Sequence, residues 1–267
     1  MHGPAFSVFC VATVACDGRC AFFVITAYIR KGLSLARVLR YNGYVNDKIG
    51  GFVMSVKACI FDLDGTLLDT LEDLANSCNA ALRAVGLPER SLDEVRAFVG
   101  NGVRKLMTRA VPPTSDQATI DAAYAAFLPI YDREKAHHTR PYDGIAETVQ
   151  ALRARGIQCA VLSNKDDAAV RALCAQYFPG LFAWTQGMRP GIRPKPAPDA
   201  LETICARMGI EIGEAVYIGD SEVDVQTAAA CGMRLVAVTW GFRTPQALRE
   251  AGAETLIDRP QELLTVL

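Results

Sequence analysis

From residue 54 onward, short apolar runs alternate with longer stretches in which apolar residues recur at helical spacing. A short apolar run bounded by polar turns suits a strand that is covered on both faces. We therefore predict strands at 56–61, 157–162, 215–218, 235–238 and 255–257. We predict helices at 145–155, 166–176, 199–208, 222–231 and 245–251. This alternation predicts an α/β fold, a doubly wound parallel sheet with a Rossmann-like core.

Residues 71–140 break this rhythm because their pattern predicts helices and no strand. Leu71, Leu74, Cys78 and Leu82 follow the helical spacing, and Gly86 ends the first helix. Two or three further helices are expected. We interpret this segment as an inserted α-helical cap, which leaves 54–70 and 141–267 as the core. A cap of this kind can exclude water from a site below it.

Residues 1–53 differ from the rest, since they sum to a charge of +4 whereas the remaining chain sums to -5. No clear helical or strand period is recognisable in them, and Asp17 and Arg19 leave no apolar run of the ~20 residues that a bilayer needs. Residues 13–16 resemble a lipoprotein cleavage site, but the basic start of a secretory signal is missing. We favour the hypothesis that Met54 is the true start and that 1–53 is an atypical extension, a translated leader.

The charge balance excludes an obvious polyanionic partner. The net charge of -1 lacks the basic excess of nucleic-acid binders, so no nucleic acid is expected and anion recognition must be local. The nine cysteines lack the paired spacings of a disulfide framework, and Cys16 with Cys20 lacks the second ligand pair of a structural zinc site. These features predict a cytoplasmic protein that is not bound to a membrane.

The predicted first strand ends at Asp62-Leu63-Asp64-Gly65-Thr66. One carboxylate of such a pair can attack phosphorus, and the other can donate a proton to the leaving oxygen. Gly65 lets the backbone approach a phosphate closely. A solvated turn is the alternative, but the position after a buried strand favours chemistry.

Three further segments place reactive groups after predicted strands. Ser163 and Asn164 can bind phosphate oxygens, although both residue types are also common helix caps. Lys195 lies between two prolines and can neutralise a phosphoryl group, the alternative being an exposed loop lysine. Asp220 offers an oxygen ligand to a hard cation, and Asp224 can either hold a metal-bound water or orient Lys195.

In this order, the four segments resemble the motifs of the haloacid dehalogenase superfamily of phosphohydrolases over about residues 56–243. The resemblance implies a phosphoaspartyl intermediate on Asp62, with Asp64 as general acid and base. It also implies Thr66 and Ser163 as phosphate ligands and Lys195 as the charge anchor. Mg²⁺ is then expected between the Asp62 side chain, the Asp64 main-chain carbonyl and the Asp220 side chain.

Within the superfamily, the segment 99–106 looks like phosphoglycolate phosphatase, and Arg104 or Lys105 can reach a substrate carboxylate. Two solvated bases are the equal alternative. We predict a phosphatase for a small phosphorylated metabolite, with 2-phosphoglycolate preferred, that exists as a monomer or homodimer. Nucleotides, pyrophosphate and sugar phosphates stay open as substrates, as does a sugar phosphomutase. A non-enzymatic phospho-receiver is disfavoured by the acid two residues after Asp62 and by the helical insertion.

Overall fold

A computed structural model of the protein describes residues 7–16, 19–28 and 55–267. The chain divides into two compact units, Met1–Val53 and Met54–Leu267. In the first unit, β1 (Ser7–Cys16) pairs antiparallel with β2 (Arg19–Tyr28). These two strands were not predicted, because both are nearly continuous apolar runs in which a period of two cannot be recognised. The predicted start at Met54 lies outside the described residues.

The second unit is built on a six-stranded sheet with the order β10-β9-β8-β3-β6-β7, in which all neighbours are parallel. Its strands are β3 (Ala58–Phe61), β6 (Gln158–Asp166), β7 (Trp184–Met188), β8 (Ala215–Gly219), β9 (Arg234–Val238) and β10 (Leu256–Ile257). A separate two-residue antiparallel pair joins β4 (Leu68–Asp69) to β5 (Arg140–Pro141). The doubly wound parallel sheet predicted from the sequence is confirmed.

Between β4 and β5 the chain forms four helices, which we call the helical insertion. They are α1 (Leu71–Ala84), α2 (Leu92–Phe98), α3 (Val103–Ala110) and α4 (Gln117–Glu134). Ser91 and Glu94 form a capping box at the start of α2, and Asp116 caps α4. The four helices share an apolar cluster of their own, centred on side chains such as Leu82, Leu106 and Phe127.

Helices cover both faces of the sheet. They are α5 (Ile145–Ala154), α6 (Asp167–Tyr177), α7 (Asp199–Met208), α8 (Glu222–Cys231), α9 (Pro245–Glu250) and α10 (Leu263–Val266). Successive residues of a strand point to opposite faces. Phe61 therefore packs in the cluster that contains residues of α5 and α6, whereas Ile60 packs in the cluster that contains residues of α7. Among the described residues, no helix is long and apolar enough to cross a membrane.

Two strands differ from their prediction. No apolar pattern indicates β7, because its residues Trp-Thr-Gln-Gly-Met lack an apolar run and form a strand at the edge of the sheet. β6 was predicted to end at Leu162 but continues to Asp166. The extension places Ser163, Asn164 and Lys165 on the strand itself, so that their side chains are held by the sheet.

Candidate active site

The predicted site residues, with the exception of Arg104, meet at the carboxyl ends of β3, β6 and β8, in the middle of the sheet. β3 lies between β6 and β8, so the strands that follow it in the chain are placed first on one side of it and then on the other. Such a switch in strand order opens a crevice beyond the strand ends, where ligands bind in α/β folds. A cavity lies at this place, lined by Asp62, Asp64, Ser163, Lys165, Asp220 and Arg243 from the core and by apolar residues of the helical insertion.

Lys195 connects Asp62, which lines this cavity, to Asp224. Its Nζ lies 3.0 Å from Asp62 Oδ1 and 2.7 Å from Asp224 Oδ1, and it donates to the Tyr217 hydroxyl at 2.9 Å. Lys195 is buried, so it is not the exposed loop lysine of the alternative interpretation. Burial lowers the pKa of Lys195, but the carboxylates of Asp224 and Asp62 outweigh it and raise the pKa, so the ammonium stays charged.

Asp224 is held on both carboxylate oxygens. Oδ1 accepts from Lys195 and from the Tyr217 hydroxyl at 2.9 Å. Oδ2 accepts from the Ser221 amide at 3.1 Å and from the Ser221 hydroxyl at 2.6 Å. This geometry favours the second of its two predicted roles, the orientation of Lys195; a role as ligand of a metal-bound water stays a prediction.

Asp220 is fixed by contacts from two other parts of the chain, residues 65–66 and residues 241–242. Thr66 Oγ1 donates to Oδ1 at 3.1 Å, and the Phe242 amide donates to Oδ2 at 2.8 Å. Gly65 has φ 82, and a Cβ on it would lie 2.3 Å from Asp220 Oδ2. A Cβ on Gly241 would lie 2.3 Å from Asp220 Cβ, so both glycines are needed for this close approach.

The acids repel one another in a buried site. One carboxylate oxygen each from Asp62, Asp220 and Asp224 lies within 4.8 Å of the others. Burial, supported by the neighbouring acids Asp224, Asp220 and Asp64, raises the pKa of Asp62 well above its usual range, although Lys195 opposes this. Burial, followed by the charge of Asp224, raises the pKa of Asp220 to about 7. The donor set consists of carboxylate oxygens, which suit a hard divalent cation such as Mg²⁺.

Ser163 and Asn164 do not cap the following helix. Asp166 caps α6 by accepting from the amides of Ala168 and Ala169, so the capping role considered for the two residues was wrong. Ser163 Oγ instead accepts from the amide of Lys165 at 3.2 Å and lines the cavity.

The side-chain amide of Asn164 holds the backbone on both sides of the cavity. Oδ1 accepts from the Lys195 amide at 2.9 Å, while Nδ2 donates to the Lys195 carbonyl at 3.0 Å and to the Gly100 carbonyl at 3.2 Å. Asn164 therefore positions Lys195 and joins it to the helical insertion.

Asp64 has a partner that the sequence analysis missed. Lys165 Nζ lies 2.8 Å from Oδ1 and 2.9 Å from Oδ2, and the Thr70 hydroxyl donates to Oδ1 at 2.7 Å. Burial lowers the pKa of Lys165, but Asp64 and Tyr131 together raise it, so a charged ammonium faces the cavity. Its position next to Ser163-Asn164 was the available signal.

Arg104 does not line the cavity. Its guanidinium pairs with Asp121 and lies over the Tyr124 ring at 5.0 Å from the centroid, on the exposed surface of the helical insertion. The structure therefore does not bring it to the other predicted site residues. Lys105, the other base considered for a substrate carboxylate, is also exposed and does not line the cavity.

Arg243, which the sequence analysis also missed, connects the core to the helical insertion. Its guanidinium donates to Glu222 Oε2 at 2.8 Å, to the Arg96 carbonyl at 2.8 Å and to the Val99 carbonyl at 2.7 Å. The two carbonyls belong to the C-terminal end of α2, where a cation is favoured by the helix dipole. The preceding residue, Phe242, packs against the apolar cluster of the insertion.

We expect Arg243→Met to increase amide hydrogen exchange in residues 92–99 by about 10-fold, since hydrogen bonds from a charged donor contribute about 1.5 kcal/mol or more. Hydrogen-exchange mass spectrometry measures this. The control is Arg249→Met, an exposed arginine on α9 that should leave the exchange unchanged. Equal exchange in Arg243→Met and the wild type would show that these bonds do not hold the insertion.

The chain is similar in sequence and structure to known phosphatases. Residues 59–238 match the family model described as haloacid dehalogenase-like hydrolase. The phosphoglycolate phosphatase of Pseudomonas syringae pv. tomato is 34% identical over 213 residues, 78% of each chain. The N-acetylmuramic acid 6-phosphate phosphatase of Pseudomonas aeruginosa is 30% identical over 221 residues, 80% of this chain and 96% of the relative.

A solved structure agrees with these relatives. A candidate phosphoglycolate phosphatase from Lactobacillus delbrueckii subsp. bulgaricus superimposes with a TM-score of 0.75 at 35% identity, and the match covers 79% of this chain and 97% of that one. The sheet, the order of the motifs and these matches agree, and we conclude that the chain belongs to the haloacid dehalogenase-like hydrolase family and is a phosphoric monoester hydrolase.

Proposed function

We propose that this enzyme hydrolyses 2-phosphoglycolate through a phosphoaspartyl intermediate on Asp62, with Mg²⁺ as cofactor. The observation that carries the proposal is the cluster of Asp62, Asp220 and Asp224 within 4.8 Å, with Lys195 3.0 Å from Asp62. A carboxylate held beside one ammonium in a buried site suits attack on an anionic phosphoryl group.

Each of the site residues has its own proposed role in the reaction. Asp62 attacks phosphorus, and Lys195 neutralises charge on the nucleophile and on the phosphoryl oxygens. Asp64 donates a proton to the leaving oxygen and then takes one from the water that cleaves the acyl phosphate. Thr66 and Ser163 are the proposed phosphate ligands.

Asp62 and Asp220, with the main-chain carbonyl of Asp64, would hold Mg²⁺. When bound, the ion offsets the repulsion between an anionic nucleophile and an anionic ester.

The relatives support the choice of substrate. Phosphoglycolate phosphatases are similar to this chain over about four fifths of its length, and residues of the helical insertion form part of the lining of the cavity. A sugar phosphate is the second candidate, because one relative is an N-acetylmuramic acid 6-phosphate phosphatase. Nucleotides and pyrophosphate are the remaining candidates for a phosphatase, and isomerisation of a sugar phosphate would indicate a phosphomutase.

A panel of phosphate esters tests the proposal. Phosphate release is measured with Mg²⁺ and with a chelator for 2-phosphoglycolate, N-acetylmuramic acid 6-phosphate, a sugar phosphate, a nucleotide and pyrophosphate. We expect the highest kcat/KM for 2-phosphoglycolate and no turnover with the chelator. A higher kcat/KM for another ester would show that 2-phosphoglycolate is not the preferred substrate. Turnover in the presence of the chelator would contradict the role of the metal.

Mg²⁺ is expected to raise the melting temperature more at pH 8 than at pH 5. The folded state raises the pKa of Asp62 and brings the pKa of Asp220 to about 7, whereas an unfolded aspartate has a pKa of about 3.9. A raised folded pKa contributes stability below the unfolded pKa, and this contribution is lost as the pH rises through about 7. The repulsion between the acids therefore destabilises the metal-free protein more at pH 8 than at pH 5, and a bound cation that neutralises the acids stabilises it more at pH 8.

Thermal unfolding at both pH values, with Mg²⁺ or with a chelator, measures this difference. Asp220→Asn removes one of the acids and should reduce the dependence of the Mg²⁺ effect on pH. An equal shift of the melting temperature at pH 5 and pH 8 in the wild type would contradict the expectation.

A further inference from the structure

Lys165 places a buried cation in the wall of the cavity, although the proposed reaction gives it no role. Its side chain is 3% exposed and contacts both carboxylate oxygens of Asp64. The Tyr131 ring, from α4 of the helical insertion, lies 4.9 Å from Nζ. The Tyr131 hydroxyl is buried and has no hydrogen-bond partner among the described residues. A spare donor therefore lies close to the ammonium.

The contacts of Asp64 conflict with its proposed role. A general acid must contact the leaving oxygen, yet both oxygens of Asp64 accept from Lys165, and Oδ1 also accepts from Thr70. Asp64 must give up at least part of its contact with Lys165 when it turns to the substrate. The ammonium would then be left buried without a counter-charge, which is unfavourable. An anion that arrives with the substrate removes this cost.

We propose that Lys165 is the receptor for a second anionic group of the substrate, a carboxylate that replaces Asp64 as its partner. The inference rests on the proposed phosphatase reaction and names the substrate class. Because Lys165 contacts Asp64 directly, and Asp64 must reach the ester oxygen, the carboxylate has to lie within a few bonds of that oxygen. Short phosphorylated 2-hydroxy acids meet this condition.

The preference for a carboxylate tests the proposal. The values of kcat/KM are compared for 2-phosphoglycolate and 2-hydroxyethyl phosphate, which has the same chain length but a neutral hydroxymethyl group in place of the carboxylate. The wild type should favour 2-phosphoglycolate. Lys165→Met should reduce the ratio of the two kcat/KM values by about 100-fold, which is within the range expected when one partner of a buried charge pair is removed. Lys165→Arg should retain part of the preference, because it keeps the charge.

Two further variants complete the comparison. Lys57→Met makes the same change at an exposed lysine before β3 and should leave the ratio unchanged. Arg104→Met tests one of the two bases that the sequence analysis considered for the carboxylate. An unchanged ratio in Lys165→Met, or loss of the preference in Arg104→Met alone, overturns the proposal. If the wild type releases phosphate from no ester, the proposed function fails instead.

Binding without turnover separates recognition from the positioning of Asp64. In an Asp62→Asn background, calorimetry measures the dissociation constants of both esters with and without Lys165→Met. We expect Lys165→Met to raise the dissociation constant of 2-phosphoglycolate by about 100-fold and to change that of 2-hydroxyethyl phosphate by less than about 3-fold. If Lys165→Met weakens the binding of both esters equally, or the binding of neither, Lys165 does not recognise the carboxylate.

Discussion

Asp62→Asn is expected to abolish phosphate release and to raise the melting temperature of the metal-free protein. Loss of the nucleophile should lower kcat on the order of 10⁴-fold or more. Burial and the neighbouring acids raise the pKa of Asp62, so its charge destabilises the folded protein at neutral pH. A neutral amide of the same shape removes that repulsion, while Lys195 keeps its contacts with Asp224 and Tyr217.

Steady-state phosphate release and thermal unfolding in a chelator give the two readouts. Asp121→Asn is the matched control, since this exposed acid pairs with Arg104 outside the cavity and should leave kcat unchanged. Measurable turnover by Asp62→Asn would refute the assigned nucleophile. A lower melting temperature would show that the repulsion within the acid cluster is weaker than the contacts of Asp62 with Lys195 and the Leu63 amide.

Lys195→Met is expected to have the largest effect on stability, with a loss of about 3–5 kcal/mol in the free energy of unfolding and no detectable turnover. Removal of one partner from a buried ion pair leaves the other charge uncompensated, and such changes cost about this much. Here a single ammonium serves two carboxylates and the Tyr217 hydroxyl. The loss should be smaller at pH 5, where the unpaired acids can bind protons.

Urea unfolding of the metal-free protein at pH 8 and pH 5 measures the loss. Lys57→Met, which breaks an exposed pair with Glu214, should cost less than about 1 kcal/mol. If Lys195→Met is no less stable than Lys57→Met, the acids of the cluster are not held apart by this lysine, and its role as charge anchor is wrong.

The segment Gly241-Phe242-Arg243 explains how the core and the helical insertion can act together. The Phe242 amide holds Asp220, and the Phe242 side chain packs against the insertion. The Arg243 guanidinium binds carbonyls at the end of α2. Three consecutive residues thus contact both a proposed metal ligand and the wall of the cavity. The exchange experiment on Arg243→Met therefore also reports on how strongly this part of the helical insertion is held against the core next to the cavity.

Much of the fold was predictable because apolar periodicity reports burial directly. The helices α7 and α8 have the predicted bounds, and the strands β3, β8 and β9 differ from their predicted bounds by at most two residues at an end. The edge strand β7 and the antiparallel pair of strands in the first unit were not predicted. The first lacks an apolar run, and the second is apolar on nearly every position, so neither shows a period of two.

The sequence alone predicted the chemistry of the site, because a D-x-D-G-T segment, a lysine between prolines and a G-D-S segment occur in a fixed order along the predicted α/β core. The tertiary structure decided which side chains share the cavity. It brought in Lys165 and Arg243 and left Arg104 on the surface, paired with Asp121. The physical reason is that strand ends are fixed by the order of strands in the sheet, whereas the contacts of an inserted helix depend on how its apolar face packs.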